Sequence, residues 1–311
     1  KLNRQGRPPI KLEKLISILM RDELVTLVDA GAAGGLNRRW KPAARHLRTV
    51  GFEPLEEHRD DGCNLSLPFA LGSSTRPGKL LVTRRISMTS LLPPARGLIA
   101  RFWDKPAHTE IVEEIPVELR RLDDLAGEHD IQPDMLKIDV QGAEHDILLG
   151  SQECLTGSII AAEIELSFIE RYEGLTPFCG VVGFMAAQGF ELVDLWRIKR
   201  YRHRNHANVV NPGIARGLRA GRLAFCDTLF LRQDAALLDL VAASRNQAAK
   251  AMVLCLVYGK ADMAARIHDA ARDLFDGPDN AHIDRYFRRL SGSHYGRLGL
   301  HRALDYLASK V

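Results

Sequence analysis

No apolar run in this 311-residue chain approaches the roughly eighteen residues that a membrane helix needs, so no membrane span is expected. The basic start, residues 1–14, lacks the apolar core of a secretory signal. Cysteine is scarce. The five residues (Cys63, Cys154, Cys179, Cys226, Cys255) are odd in number and scattered, with no C-x-x-C pair. That pattern argues against a disulfide framework or a zinc site and predicts a reducing, cytoplasmic setting. Acids are missing from two long stretches, although the chain holds 39 of them against 43 Lys and Arg. Residues 62–103 have none but carry Arg76, Lys79, Arg84, Arg85, Arg96 and Arg101. Residues 195–226 have none but carry Arg197, Lys199, Arg200, Arg202, Arg204, Arg216, Arg219 and Arg222. Such segments are either solvated basic surface or a field that attracts an anionic ligand. On the second reading Arg84, Arg85, Arg200 and Arg202 are the expected substrate-binding residues.

With 46% apolar and 26% charged residues, the chain has the composition of one large domain, or one domain plus an appendage, with a proper buried core. Residues 24–28 read as a short buried strand, followed at once by Asp29-Ala30-Gly31-Ala32-Ala33-Gly34-Gly35. A strand ending in an acid and a glycine-rich turn lets a cofactor approach the backbone, because glycine tolerates the turn and presents no side chain. A second short strand, 48–52, ends in Glu53. That acid lies about 20 residues beyond Gly31, where a nucleoside-binding α/β fold places the carboxylate for the ribose hydroxyls. A third strand, 135–139, ends in Asp139. The three places together describe a nucleoside pocket. The turn departs from the dinucleotide pattern G-x-G-x-x-G, since Ala33 stands where the second glycine belongs, so a pyrophosphate is poorly provided for. S-adenosylmethionine has no phosphate, and its ammonium group favours a carboxylate such as Asp29.

A series of short segments then resembles the FkbM-type family of S-adenosylmethionine-dependent methyltransferases. They are Val28-Asp29-Ala30-Gly31-Ala32, Gly51-Phe52-Glu53-Pro54, Phe69-Ala70-Leu71-Gly72 and Leu122-Asp123-Asp124-Leu125. Leu136-Lys137-Ile138-Asp139-Val140-Gln141-Gly142-Ala143-Glu144, Glu163-Ile164-Glu165, Tyr172-Glu173-Gly174, Gly189-Phe190-Glu191-Leu192 and Asp227-Thr228-Leu229-Phe230 follow in the family's order. Gln141 stands where an acid is as often expected. The resemblance implies S-adenosyl-L-methionine as cofactor, with Asp29, Gly31, Ala32, Gly34, Glu53, Pro54, Ala70, Leu71 and Asp139 around it. It covers residues 24–232.

Alternating strands and helices predict an α/β fold: a doubly wound, mostly parallel sheet. The resemblance makes that a seven-stranded, Rossmann-like methyltransferase sheet, its last two strands antiparallel. Strands are expected at 65–71, 79–85, 109–119, 159–166, 190–198 and 223–232. Helices are expected at 12–20, after the first strand, at 122–129, from 143 and at 178–188. The expected division is a helical lead-in (1–23), the methyltransferase domain (24–233) and a helical C-terminal appendage (234–311). The last has helical periodicity at 235–258, 261–275, 282–290 and 298–308. It reads as helices packed on the sheet domain or forming a homodimer contact, or as an acceptor- or partner-binding module.

Methyl transfer is an in-line displacement that needs an aligned nucleophile, exclusion of water and a proton acceptor for a hydroxyl. Asp139, at a strand's carboxyl end, is the first candidate for positioning or proton removal; the alternative is a helix cap. Glu144 and His145, in the next helix's first turn, are expected to face the same cleft. Glu163 and Glu165 alternate in phase and share a strand face, belonging either to the acceptor site, with Glu165 catalytic, or to an ion pair with Lys137. Asp139, Glu163 and Glu165 are oxygen ligands of the kind a divalent cation takes, but no compact ligand motif accompanies them and no metal is expected. The leading expectation is O-methylation of a hydroxyl on a glycan, glycolipid, nucleotide-linked sugar or related metabolite, an anionic one if the basic segments bind it. The rivals are a nicotinamide-dependent oxidoreductase, disfavoured by the turn's spacing, and a nucleic-acid-binding module. The latter is not expected, because only Trp196 and Tyr201 could stack bases beside the basic run.

Overall fold

The computed structural model describes residues 11–31, 35–55, 57–207, 209 and 220–295. Helix α1 (Leu12–Met20) buries Leu15, Ile16, Leu19 and Met20 along one face and leads into β1 (Val25–Ala30), all six residues of which are buried. The helical stretch expected next is a 3₁₀ segment, Arg38–His46, with Pro42 inside it; proline supplies no N–H for a longer α-helix. Strands β2 (Leu47–Phe52), β3 (Arg59–Asp60), β4 (Asn64–Leu67), β5 (Ala70–Leu71) and β6 (Arg76–Thr83) follow with no helix between them. Short helices α2 (Arg96–Ile99) and α3 (Lys105–His108) precede β7 (Ile111–Arg120) and α4 (Leu122–Glu128). Next come β8 (Met135–Ile138), α5 (Glu144–Leu149), α6 (Gln152–Gly157), β9 (Ala161–Ser167) and α7 (Phe178–Ala187). The chain continues through β10 (Phe190–Tyr201) and β11 (Arg222–Arg232) into α8 (Asp234–Ala243), α9 (Arg245–Val257), α10 (Ala261–Ala270) and α11 (Gly277–Tyr295). The helix expected at 298–308 lies outside the described residues.

The main sheet has eight strands in the order β10-β11-β9-β8-β1-β2-β4-β3, one more than expected. The addition is the two-residue β3, which pairs antiparallel with the edge strand β4. Parallel pairing joins β9, β8, β1, β2 and β4, while β11 runs antiparallel to both β9 and β10. The strand expected over 65–71 divides at Pro68, where no N–H is available to continue a ladder. Its second half, β5, joins β7 and β6 in a separate three-stranded sheet. The strands expected at 79–85 and 109–119 therefore lie outside the main sheet.

Alternate residues of each strand serve two cores. Val28, Ala30, Leu136, Ile138 and Ile164 meet α4, α5, α6 and α7 on one face. Val25, Leu27, Met135, Ala161, Leu229 and Leu231 meet α1, the 3₁₀ segment, α8 and α9 on the other. The second face explains the tail. With only a 3₁₀ segment after β1 and no helix between β2 and β4, that face would stand in water, and α9 covers it. Nine of its thirteen residues are buried, from Ala248 to Val257. The helices from Asp234 on thus share a core with the sheet, and α9's apolar surface is used within the chain. The periodic stretch 235–258 is two helices because Ser244 adopts extended backbone and caps α9, its Oγ accepting from the Gln247 N–H at 3.4 Å. Among the described residues no helix is long and apolar enough to cross a membrane.

Candidate active site

From β1 the chain builds outward to β2 and β4, then returns to add β8 on the other side of β1. The crevice at the carboxyl ends of β1 and β8 is the point where an open α/β sheet binds its ligand. Asp29, Glu53 and Asp139 all stand at that end of the sheet, in β1, just past β2 and just past β8. Gly31 has φ +84°, and a Cβ on it would lie 2.2 Å from the backbone oxygen of Asp139. The β1 and β8 ends therefore approach closely only because residue 31 is glycine. Ala32 and Gly34 lie outside the described residues. Half-buried Glu53 accepts from the Leu55 N–H at 3.4 Å through Oε1, and Pro54 follows it in a turn. Ala70 and Leu71 are buried in β5, paired with Leu119 and Arg120 of β7.

On the α9 face, the carboxyl-terminal halves of the strands turn from apolar to charged. Asp29 stands opposite Lys137, and Lys137 opposite Glu163. Glu165, two residues on, stands opposite Asp227. Lys137 Nζ donates to Asp29 Oδ1 at 2.6 Å. The ion pair open to Glu163 or Glu165 from their phase is thus formed by Asp29 instead. Burial holds the Asp29 carboxyl above the usual carboxylate range, against the pull of Lys137. Glu163 accepts from the Tyr258 hydroxyl of α9 and lies 3.4 Å from Arg39. Glu165 pairs with buried Arg171 at 2.8 Å. Burial pushes the Glu165 carboxyl up to about 7, against the pull of that guanidinium. Asp227 pairs with Arg197 at 3.0 Å.

Asp139 joins this group through Gln141. The Gln141 backbone has φ +60°, and its Nε2 donates to Asp139 Oδ1 at 2.8 Å and to Glu165 Oε1 at 3.1 Å. A glutamate at 141 would put a third carboxylate where this amide donates to two. Gln141 and Arg171 are the site residues that sequence reasoning missed as participants. Arg171 lies beyond the end of β9, so no local periodicity marks it, and Gln141 stands out in the sequence only as a departure from the family motif.

Glu144 lies close enough to Asp139, Glu165 and Arg171 to interact with their charges, while His145 turns to Thr176. Glu144 is buried and accepts from the Gly142 N–H at 2.8 Å, closing the turn that carries Gln141. Burial raises its carboxyl. His145 lies on the α7 side, its Nδ1 3.2 Å from Thr176 Oγ1 and its ring edge-on to Phe184. It helps to line a cavity of about 320 Å³ with Arg76, Asp146 and Thr176.

The basic segments divide. Basic β6 pairs with acid-rich β7, so Arg84 meets Glu110 at 2.8 Å and Lys79 meets Glu114 at 2.9 Å. Arg85 Nε donates to Ser87 Oγ at 3.3 Å. The positive field expected at Arg84 is neutralised by acids brought from another part of the chain. Arg200 and Arg202 are different: both are exposed and neither makes an ion pair among the described residues. They close β10, whose carboxyl end points the same way as that of β9. There the two acid-free stretches meet, with Trp103 N–H donating to Arg202 O and Arg204 N–H to Arg101 O, both at 2.9 Å. Arg216 and Arg219 lie outside the described residues. Tyr201 is buried against Phe102, and half-buried Trp196 has the Arg39 guanidinium over its ring.

A model of the FkbM methyltransferase domain matches residues 29–192, which is more than half of the chain. The chain belongs to the FkbM methyltransferase domain family. S-adenosylmethionine is the cofactor of this domain. The donor set at the β1–β8 crevice fits it: acids at three strand ends suit ribose hydroxyls and a cationic amino acid. A 2-O-methyltransferase, NoeI, of Sinorhizobium fredii is 40% identical over 80 residues, 25% of this chain and 32% of that relative. The chain thus matches about a third of the relative's length. A methyltransferase FkbM structure from Methylobacillus flagellatus is 12% identical, with a TM-score of 0.35, over 72% of this chain and 48% of that one. A precorrin-6y C5,15-methyltransferase of Geobacter metallireducens is 10% identical, with a TM-score of 0.27, over 75% and 93%.

Proposed function

We propose that this FkbM domain transfers a methyl group to a hydroxyl oxygen of a glycan, glycolipid, nucleotide-linked sugar or similar metabolite. The observation that carries this reading is the convergence of Asp29, Glu53 and Asp139 at the strand ends around one crevice, in a chain of this family. The activity for which the Sinorhizobium relative is named, 2-O-methylation, supports oxygen as the atom methylated. The bound cofactor supplies an electrophilic methyl group on a sulfonium. Glu53 holds the ribose hydroxyls, and Asp29, fixed by Lys137, receives the ammonium end. Asp139 accepts the proton or the hydrogen bond of the acceptor hydroxyl. Its Oδ1 is taken by Gln141, which leaves Oδ2 for that task and ties its position to the Glu165–Arg171 pair. Metal assistance is not part of this reading; Glu163 and Glu165 are occupied by arginines and a tyrosine.

Calorimetry tests the cofactor assignment, with S-adenosylhomocysteine expected to bind and NAD not. Glu53→Ala is expected to leave the melting temperature in place and weaken S-adenosylhomocysteine by about 1–3 kcal/mol, the scale of charge-assisted hydrogen bonds. Unchanged affinity would remove Glu53 from the ribose. Transfer of labelled methyl from S-adenosylmethionine to an alkali-stable ether product tests oxygen as the acceptor atom.

The acceptor is anionic on this reading and approaches Arg200 and Arg202, where the two acid-free stretches meet. Reversing both to Glu should raise the acceptor's apparent KM with cofactor affinity constant, and the effect should shrink at high salt, where the screening length falls to about 3 Å at 1 M. Arg84→Gln should do little, since Glu110 already neutralises Arg84. Equal effects from both changes, or none from either, would return these arginines to ordinary surface.

A further inference from the structure

The charged row across the sheet continues into the C-terminal helices, beyond the matched family segment. Arg39, four residues past Gly35, lies between two aromatic rings, its guanidinium carbon 4.9 Å from the Trp196 ring centre and 4.7 Å from that of Tyr258. Asn37 holds the start of the same 3₁₀ segment, its Oδ1 accepting from the Arg39 backbone at 3.0 Å. Buried Trp40 packs edge-on against Tyr258 at 6.0 Å. The Tyr258 hydroxyl and Arg39 converge on Glu163, a carboxylate with 7% of its surface exposed. Glu163 stands next to Lys137 in the ladder, and Lys137 is bound to Asp29. One ammonium thus has three carboxylate neighbours, Asp29, Asp139 and Glu163, and it sits on Asp29.

A buried carboxylate without donors is costly and draws the nearest cation. Tyr258 and Arg39 satisfy Glu163, so Lys137 is left to Asp29. The same contacts fix the start of the 3₁₀ segment. In sequence, the glycine-rich turn runs between that segment and Asp29, so both of its ends are anchored to one chain of ion pairs.

We propose that Tyr258 is a positioning residue for the cofactor: by occupying Glu163 together with Arg39, it keeps Lys137 on Asp29 and Asp29 in its binding state. This rests on the placement of the cofactor at the β1–β8 crevice. It makes α9 part of the cofactor site, although no residue of α9 need touch the cofactor.

The test uses the full chain and S-adenosylhomocysteine as probe. Tyr258→Phe keeps the ring over Arg39 and removes only the hydroxyl, so Glu163 competes for Lys137. Affinity is expected to fall roughly tenfold, within the usual range of coupling between sites. Glu163→Gln added to Tyr258→Phe removes the competing charge and should return the affinity to within about twofold of wild type. A hydroxyl that served only packing would give a double variant no better than the single one, and that result overturns the proposal.

Proton linkage gives a second readout. Asp29 faces Lys137 and Asp139, and Glu163 faces Tyr258, Arg39, Asp227 and Lys137. Burial already holds Asp29 high, so losing Lys137 raises it further. Cofactor affinity that needs ionised Asp29 should then decline at a higher pH in Tyr258→Phe than in wild type. An unshifted acid limb counts against the proposal. Asp29→Asn separates the two layers of the argument. If Asp29→Asn binds S-adenosylhomocysteine as wild type does, the placement of the cofactor fails and the proposal with it. If Asp29→Asn loses affinity while Tyr258→Phe keeps it, only the role of Tyr258 fails. Should Tyr258→Phe not fold, amide exchange in α9 of the wild type decides: by reciprocity, saturating S-adenosylhomocysteine must slow it, and no change overturns the coupling.

Discussion

A chain ended at Gln233 is expected to lose its cooperative fold rather than become a smaller enzyme. The truncation removes α8 to α11 and strips the face of the sheet formed by Val25, Leu27, Met135, Ala161, Leu229 and Leu231. Those side chains are at most 1% exposed in the intact chain. It also leaves Asp134 without Lys250, which approaches it at 2.9 Å, and Glu163 without Tyr258. Each large apolar side chain left uncovered costs about 1.5–3 kcal/mol. A handful of them exceeds the roughly 5–15 kcal/mol by which a domain is stable. The expected product is insoluble, or soluble with strong binding of a hydrophobic dye and no sharp melting transition. A truncated chain with a sharp melt and wild-type S-adenosylhomocysteine affinity would mean that α9 only decorates the sheet.

The second large effect is expected from Gly31→Val. In the sequence, glycine at 31 reads as leaving room for a cofactor, but the structure puts the Asp139 backbone in that room. A Cβ would meet the Asp139 oxygen at 2.2 Å, on a residue with φ +84°. The left-handed backbone costs about 1–2 kcal/mol for a residue with a Cβ, and forcing a packed contact apart costs about 1–3 kcal/mol more. The displaced groups are the strand ends bearing Asp29 and Asp139. A lowered melting temperature and lost S-adenosylhomocysteine binding should therefore appear together. Gly31→Ala should already show both in milder form, because the collision begins at Cβ. If Gly31→Val lost cofactor binding with an unchanged melting temperature, the obstruction would be in the pocket and not between the strands.

What was legible in the chain was whatever one stretch of residues carries by itself. The buried run of β1, the glycine turn, Glu53 past β2 and Asp139 past β8 each follow from local pattern, and each stands at the same end of the sheet. Local pattern also misled in a consistent way. The strand read over 65–71 ignored what Pro68 does to a ladder, and its halves went to two sheets. Lys79 and Arg84 read as parts of an open field because their partners, Glu114 within β7 and Glu110 just before it, come alongside only through strand pairing. His145 and Glu144 share a helical turn, but that turn directs His145 to Thr176 while Glu144 stays beside Asp139 and Glu165.

The family, the cofactor and the succession of most strands along the chain are carried by short motifs and by hydrophobic period, and so are legible in the residues alone. The tertiary structure alone decided which carboxylate holds which cation. Lys137 chose Asp29, Arg171 chose Glu165, and Arg39 with Tyr258 chose Glu163. These partners lie on different strands, the loop after β9, the 3₁₀ segment and α9. Ion pairing depends on distance in space and on burial, neither of which is recorded along the chain. The same reason left open what the C-terminal helices pack against, the sheet domain or a second copy. Their periodicity shows an apolar face, but the surface it covers is created only when β1, β8, β9 and β11 lie side by side.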